Sequence, residues 1–136
     1  MVYNLRFMTI YFSLLLRNHE QNVIIPNPKQ HSPESNFIYM LHYLQSNYMT
    51  TSLKEFADFF NYSERQINRI LHDYTDLSFS ENIQKLKMNK AAVLLANPQL
   101  SLSDIAASCG YSNTSYFRNT FLKYYGETPA DYRKKL

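Results

Sequence analysis

From Asn36 onward the apolar positions recur at steps of three and four residues, the spacing of one face of an α-helix, and polar breaks cut the chain into a succession of such runs. In "NFIYMLHYLQSN", Phe37, Met40, Leu41 and Leu44 share a face and predict a first helix. After Thr51 a second carries the stripe Leu53, Phe56, Ala57 and Phe60, and Ser52 with Glu55 has the spacing of a capping box at its start. A third, from about Ser63 to Tyr74, buries Ile67, Ile70, Leu71 and Tyr74. A fourth, from about Ser80 to Ala96, turns Ile83, Leu86, Ala91, Leu94 and Leu95 inward and stops before Pro98. Ser101 and Asp104 open a fifth, with Leu102, Ile105, Ala106 and Cys109 on its inner side. A sixth starts from Ser112 or Asn113 as N-cap, packs Phe117, Phe121 and Tyr124, and ends at Gly126. A short last helix, Pro129 to Lys135, has Thr128 as cap and proline in its first position. With only two glycines in 136 residues, few turns can demand a positive φ, and the fold class expected is all-α, with about seven helices.

The second and third helices have an echo. "SLKEFADFFNYS" (Ser52 to Ser63) and "SLSDIAASCGYS" (Ser101 to Ser112) follow one plan, 49 positions apart. In the helix after each copy the offset becomes 50, so that Ile67 answers to Phe117 and Leu71 to Phe121, and the second turn is one residue longer. A short helix with a small residue (Ala57, Ala106), a tight turn and a longer helix with a polar outer face make a helix-turn-helix. The turn needs a left-handed residue, and Gly110 and Asn61 are placed to supply it. The expected architecture is two helix-turn-helix subdomains, about 52–74 and 101–125, bridged by the long helix of about 80–96. A helix of about 17 residues is roughly 25 Å long. Successive major grooves on one face of DNA lie roughly 34 Å apart, so such a spacer suits two helices that read neighbouring boxes.

Residues 1–20 predict an extra N-terminal apolar helix. Met1, Leu5, Met8, Phe12 and Leu15 form a seam at alternating steps of four and three, and Phe7, Tyr11 and Leu14 add a second stripe, too much apolar surface to stand in water uncovered. Two covers fit: a second copy, giving a homodimer through residues 1–17, or the rest of this chain. Residues 21–35, with "IIPNPKQHSPESN", read as a linker to a domain over 36–136. The longest uncharged stretch here, Phe7 to Leu16, is too short to span a bilayer, so no membrane partner is expected.

Composition narrows the class without deciding it. At 45% hydrophobic and 18% charged the chain is globular rather than disordered. A single cysteine, Cys109, excludes a disulfide framework, and the scattered His19, His31, His42 and His72 do not pair with it as a metal site, which points to a reducing cytoplasm. The net charge of +3 is too small to announce a nucleic-acid partner by bulk electrostatics. No carboxylate pair, nucleophile triad or glycine-rich phosphate loop occurs, and neither catalysis nor a cofactor is expected.

On the third helix Arg65, Asn68, Arg69 and His72 fall opposite the apolar stripe, and on the sixth Thr114, Ser115, Arg118 and Asn119 do. Arginine can pair with guanine and asparagine with adenine in a bidentate way, so these positions, Thr114 and Ser115 included, are the candidates for reading bases. His72, Lys85, Lys87, Ser112, Asn113 and Lys123 are candidates for phosphate, with Lys90 a weaker one than Lys87. The same polar positions also fit the plain solvated side of an amphipathic helix.

"LKMNKAAVLLANPQLSLSDIAASCGYSNTSYFRNTFLKYYGETPADYRK" and the repeat before it resemble the DNA-binding domain of the AraC/XylS family of bacterial transcription regulators, over roughly three quarters of the chain. The resemblance implies a cytoplasmic, nucleoid-associated regulator that binds double-stranded promoter DNA and activates through RNA polymerase. Arg65, Asn68, Arg69, His72, Thr114, Ser115, Arg118 and Asn119 match the family's base-reading and phosphate-contacting positions, and Lys87 matches a basic position of the family. Three residues depart from the pattern: Asn119 stands where arginine is usual, Leu122 at a usually basic place, and Asp76 where glycine is frequent. A rival reading keeps the fold as a protein-interaction module that has lost DNA; the retained arginines oppose it and the low net charge permits it.

Overall fold

The computed structural model describes residues 33–136, so the expected N-terminal helix and most of the linker lie outside the described residues. Within them stand seven α-helices: α1 Pro33–Asn47, α2 Leu53–Phe60, α3 Glu64–Thr75, α4 Phe79–Leu95, α5 Leu102–Ser108, α6 Thr114–Tyr125 and α7 Pro129–Lys134. The fold is all-α, with two helix-turn-helix units and α4 as the covalent bridge between them. The chain divides into compact units at Ser80, just inside α4. α1 begins three residues earlier than expected from the apolar pattern, because a first-turn residue has no intrahelical use for its N–H and a proline is admissible there.

The first unit is built on aromatic rings. Phe56 and Phe60 of α2 lie 4.9 Å apart, Phe79 at the head of α4 packs 5.4 Å from Phe56, and Tyr43 of α1 covers Phe56 at 5.5 Å and Phe59 at 4.5 Å. Met40, Leu44, Ile67 and Leu71 complete a core closed to water. Burying each such side chain contributes about 1.5–3 kcal/mol before entropy is charged against it. Asn68 on α3, half-buried, accepts the Phe79 N–H on its Oδ1 at 2.9 Å, so it serves as a cap for the first turn of α4.

In the second unit Met88, Ala91 and Leu95 of α4 meet Ile105, Ala106 and Cys109 of α5 and Phe117 and Phe121 of α6. Two expectations change here. Met88, an adaptable filler of irregular gaps, is fully buried, while Ile83, Leu86 and Leu94 are only half-buried. Tyr124 is exposed, and its expected place is shared by Thr120, whose hydroxyl donates to the Tyr116 carbonyl at 2.9 Å, and by Tyr125, which packs 4.5 Å from Phe121 and donates to the Met88 carbonyl. Arg133 of α7 closes the far end of α4: its Nε donates to the Leu95 carbonyl at 3.1 Å and its Nη2 to that of Leu100 at 2.8 Å. The Leu95 carbonyl is one that a helix end leaves without an internal partner, and the bond to Leu100 ties the connection before α5 to α7.

The duplicated plan is matched closely in the first helix and turn of each pair, while α6 opens on Asn113 without the capping box that opens α3. Capping boxes open α2 (Ser52, Glu55), α3 (Ser63, Gln66) and α5 (Ser101, Asp104). The Ser101 hydroxyl and N–H hold the Asp104 carboxyl below its usual range. After α2, Asn61 is left-handed at φ 58 and the Tyr62 N–H reaches back to the Ala57 carbonyl at 3.0 Å. After α5, Gly110 is left-handed at φ 82 and the Tyr111 N–H reaches the Ala106 carbonyl at 2.9 Å. The extra residue of the second turn is Ser112, which leaves Asn113 as the N-cap of α6.

Asp76, at the place where glycine is frequent in related sequences, caps α3 in the left-handed region at φ 59, as Gly126 caps α6 at φ 76. Asp76→Gly should therefore raise stability by about 1 kcal/mol, the order of the side-chain penalty in that region, read from urea unfolding. In the same assay Arg133→Met should lower it by about 1.5–3 kcal/mol, the value of hydrogen bonds made by a charged donor.

Candidate nucleic-acid interface

Each unit presents one helix of twelve residues, α3 or α6, whose inner stripe is locked in a core and whose outer side is free to touch a ligand. On α3 the lock is Ile67 and Leu71, both fully buried. Arg65, Arg69 and His72 then follow at steps of four and three and lie exposed on one outer stripe. Asn68 departs from that stripe, since its carbonyl oxygen is spent on Phe79; of the four residues proposed for α3 it is the one the fold uses internally.

On α6 the buried residues are Phe117, Thr120 and Phe121. Ser115, Arg118, Asn119 and Lys123 are exposed, and Thr114 is half-buried at the first turn. Ser112 is exposed just before the helix. Asn113 accepts the Tyr116 N–H on its Oδ1 at 2.9 Å, which leaves its amide nitrogen for any outside contact. Among the described residues the ion pairs are Lys134 with Asp131 and Lys135 with Glu127. Arg65, Arg69, Arg118 and Lys123 belong to neither, so among the described residues no carboxylate forms an ion pair with them.

The lysines of α4 separate into different roles. Lys85 is exposed. Lys87 sets its ammonium 5.5 Å from the centre of the Tyr111 ring, a cation–π contact that holds it beside the turn leading into α6. Lys90 donates to the Ser108 carbonyl at 2.7 Å and thereby caps the end of α5.

Tyr116 was missing from the sequence-based candidates. It is 64% exposed on α6, between Ser115 and Phe117, with its ring 5.9 Å from Tyr111. Most aromatic residues among the described ones sit at core spacing, which hid it; the signal that could have found it is its place one residue before Phe117, off the buried stripe. Tyr111 itself is half-buried, and burial, followed by the neighbouring Tyr116 and Cys109, pushes its phenol up, so it remains a neutral phenol at physiological pH.

The sequence family described as "Helix-turn-helix domain" matches residues 56–135, more than half of the chain. A solved transcriptional regulator of Chromobacterium violaceum, titled as containing an AraC-type DNA-binding domain, superimposes with a TM-score of 0.66 at 25% identity, covering 71% of this chain and 87% of that one. The chain belongs to the AraC-type helix-turn-helix family. Among curated relatives, the Escherichia coli HTH-type transcriptional regulator YpdC is 27% identical over 119 residues, covering 85% of this chain and 42% of YpdC. The HTH-type transcriptional activator RhaR of Mannheimia succiniciproducens is 37% identical over 70 residues, 52% of this chain and 25% of RhaR. The chain thus spans less than half the length of these relatives.

Cys109 ends α5 inside the second core, with no exposed surface, and burial pushes its thiol up despite Lys90 and Lys87 nearby. A protonated, water-excluded thiol is a poor nucleophile. Cys109 should stay unreacted with Ellman's reagent at neutral pH while the chain is folded and react at once in denaturant; release of the coloured thiolate before unfolding would show that the core opens.

Proposed function

We propose that this chain is a sequence-specific DNA-binding transcription regulator that reads two adjacent major-groove boxes of double-stranded promoter DNA, one with α3 and one with α6. The observation that carries the proposal is the paired one: two helices of equal length, generated by one repeated plan, exposing Arg65 and Arg69 on α3 and Arg118 on α6, none of them in an ion pair among the described residues. Arg65, Arg69, Arg118 and Asn119 are the base readers, the arginines suited to guanine and the asparagine to adenine. Ser115 and Thr114 add contacts to bases or backbone, and Asn68 contributes only through its amide nitrogen. Tyr116 joins them as an exposed ring for a thymine methyl or a base edge. His72, Lys85, Lys87, Ser112, Asn113 and Lys123 fix the register on phosphates.

Activation through RNA polymerase is supported by the kinship with a named activator and by Leu122 and Tyr124, 42% and 41% exposed on α6, which offer apolar surface for a protein contact. The work of the chain is then binding rather than catalysis, carried out in the cytoplasm at the nucleoid. No described helix is long and apolar enough to cross a membrane. A homodimer through residues 1–17 remains our reading for the N-terminal segment, to be judged by sedimentation of the full chain.

The test is selection of random duplex DNA by the purified chain, followed by titration of salt against the winning sequence. Two enriched boxes about one helical turn apart are expected, with affinity falling steeply as salt rises. Arg65→Ala and Arg118→Ala should each cost about 1–3 kcal/mol and relax the preference at one base pair of their own box. Lys123→Ala should instead weaken all sequences alike and reduce the salt slope by about 1. Absence of any enriched sequence overturns the proposal in favour of a protein-interaction module.

A further inference from the structure

Asn36, the fourth residue of α1, is 5% exposed. Its Nδ2 donates to the Tyr62 hydroxyl at 3.1 Å, but its Oδ1 is shut off from water and accepts from nothing. Turning the amide over moves the deficit to the nitrogen and does not remove it. A buried polar atom without a partner is costly enough to need a reason.

The same Asn36 lines a cavity of about 360 Å³ together with Tyr62, Arg69, Ile70, Asp73 and Tyr74. That volume lies within the range of small-molecule sites, about 300–1,000 Å³. Its walls offer complementary groups. Arg69 and Asp73 stand one turn apart on α3, and neither belongs to an ion pair among the described residues. Ile70 and Tyr74 supply apolar surface, and the Tyr74 ring is held in place by stacking on Phe37 at 4.3 Å. A free cation, a free carboxylate and an apolar wall within one cavity, with the lone amide oxygen belonging to a residue that lines it, match a molecule that carries a carboxylate, an ammonium and a hydrocarbon side chain.

We propose that this cavity of the first unit binds a free α-amino acid with an apolar side chain. Its carboxylate meets Arg69, its ammonium meets Asp73 and donates to Asn36 Oδ1 after a small turn of the amide, a soft torsion for asparagine, and its side chain lies against Ile70 and Tyr74. Occupancy holds the Arg69 guanidinium at the cavity and so withdraws it from DNA. This second half rests on the proposed reading of bases by Arg69; the binding half does not.

The experiment is calorimetric titration of the full chain with L-leucine and L-phenylalanine, first without DNA. Saturable binding is expected for at least one of them, and N-acetyl-L-leucine and L-leucinamide, which each lack one charge, should bind at least about tenfold more weakly. Asn36→Leu should abolish binding while the melting temperature holds or rises. Should that variant fail to fold, Asp73→Asn, an exposed change, must weaken binding about tenfold. No heat of binding for either amino acid up to about 5 mM, or variants that bind as well as the parent, overturns the site. With the selected duplex present, saturating amino acid should lower DNA affinity; binding that leaves DNA affinity unchanged overturns the coupling. If no duplex is bound even without the amino acid, the DNA-binding reading fails, and the titration still decides the cavity by itself.

Discussion

The backbone turn between the helices of each pair is the constraint on which both outer surfaces depend. In one pair the Ala57 carbonyl accepts the Tyr62 N–H, in the other the Ala106 carbonyl accepts the Tyr111 N–H, and a left-handed residue stands before each donor. Alanine at the accepting position keeps the two helices close, and both alanines are buried. Once the chain is bent there, the buried stripe of the following helix must meet the core, Ile67 and Leu71 in one case and Phe117 and Phe121 in the other. The polar stripe is then carried outward without any choice of its own.

Charge works locally in this molecule. A net charge of +3 over 136 residues gives little long-range attraction, so affinity for a polyanion has to come from cations whose charge is not already used. The fold discriminates among its cations accordingly. Arg133 and Lys90 are consumed in closing helix ends through backbone carbonyls, and Lys134 and Lys135 pair with carboxylates. Arg65, Arg69 and Arg118 are left over on α3 and α6. Arg69 stands both on the outer stripe of α3 and at the rim of a cavity lined by a residue with an unsatisfied amide oxygen, so on the two readings proposed above it is the residue through which a small molecule and DNA would compete.

Much of this was legible in the chain because it rests on local rules. Helical period, capping spacing and the left-handed positions Asn61 and Gly110 follow from neighbours within five residues of one another, and the shift of offset from 49 to 50 from laying two such local patterns side by side. Each was met in the structure, the shift being one residue, Ser112, in the second turn. The candidates on α3 and α6 were legible for the same reason, since a residue opposite a buried stripe is outward by geometry.

What the sequence by itself determined, then, is the number, order and outward faces of the helices, because backbone hydrogen bonding and side-chain period act over a single turn. Tertiary structure alone decided which polar groups are already spent. Asn68 caps α4 from eleven residues away, Lys90 reaches Ser108, Arg133 reaches Leu95, and Asn36 is buried beside Tyr62 with one oxygen unmet. These contacts join residues far apart in the chain, and no local pattern encodes them. A hydrogen bond is fixed by position in space, which packing settles only after the helices exist.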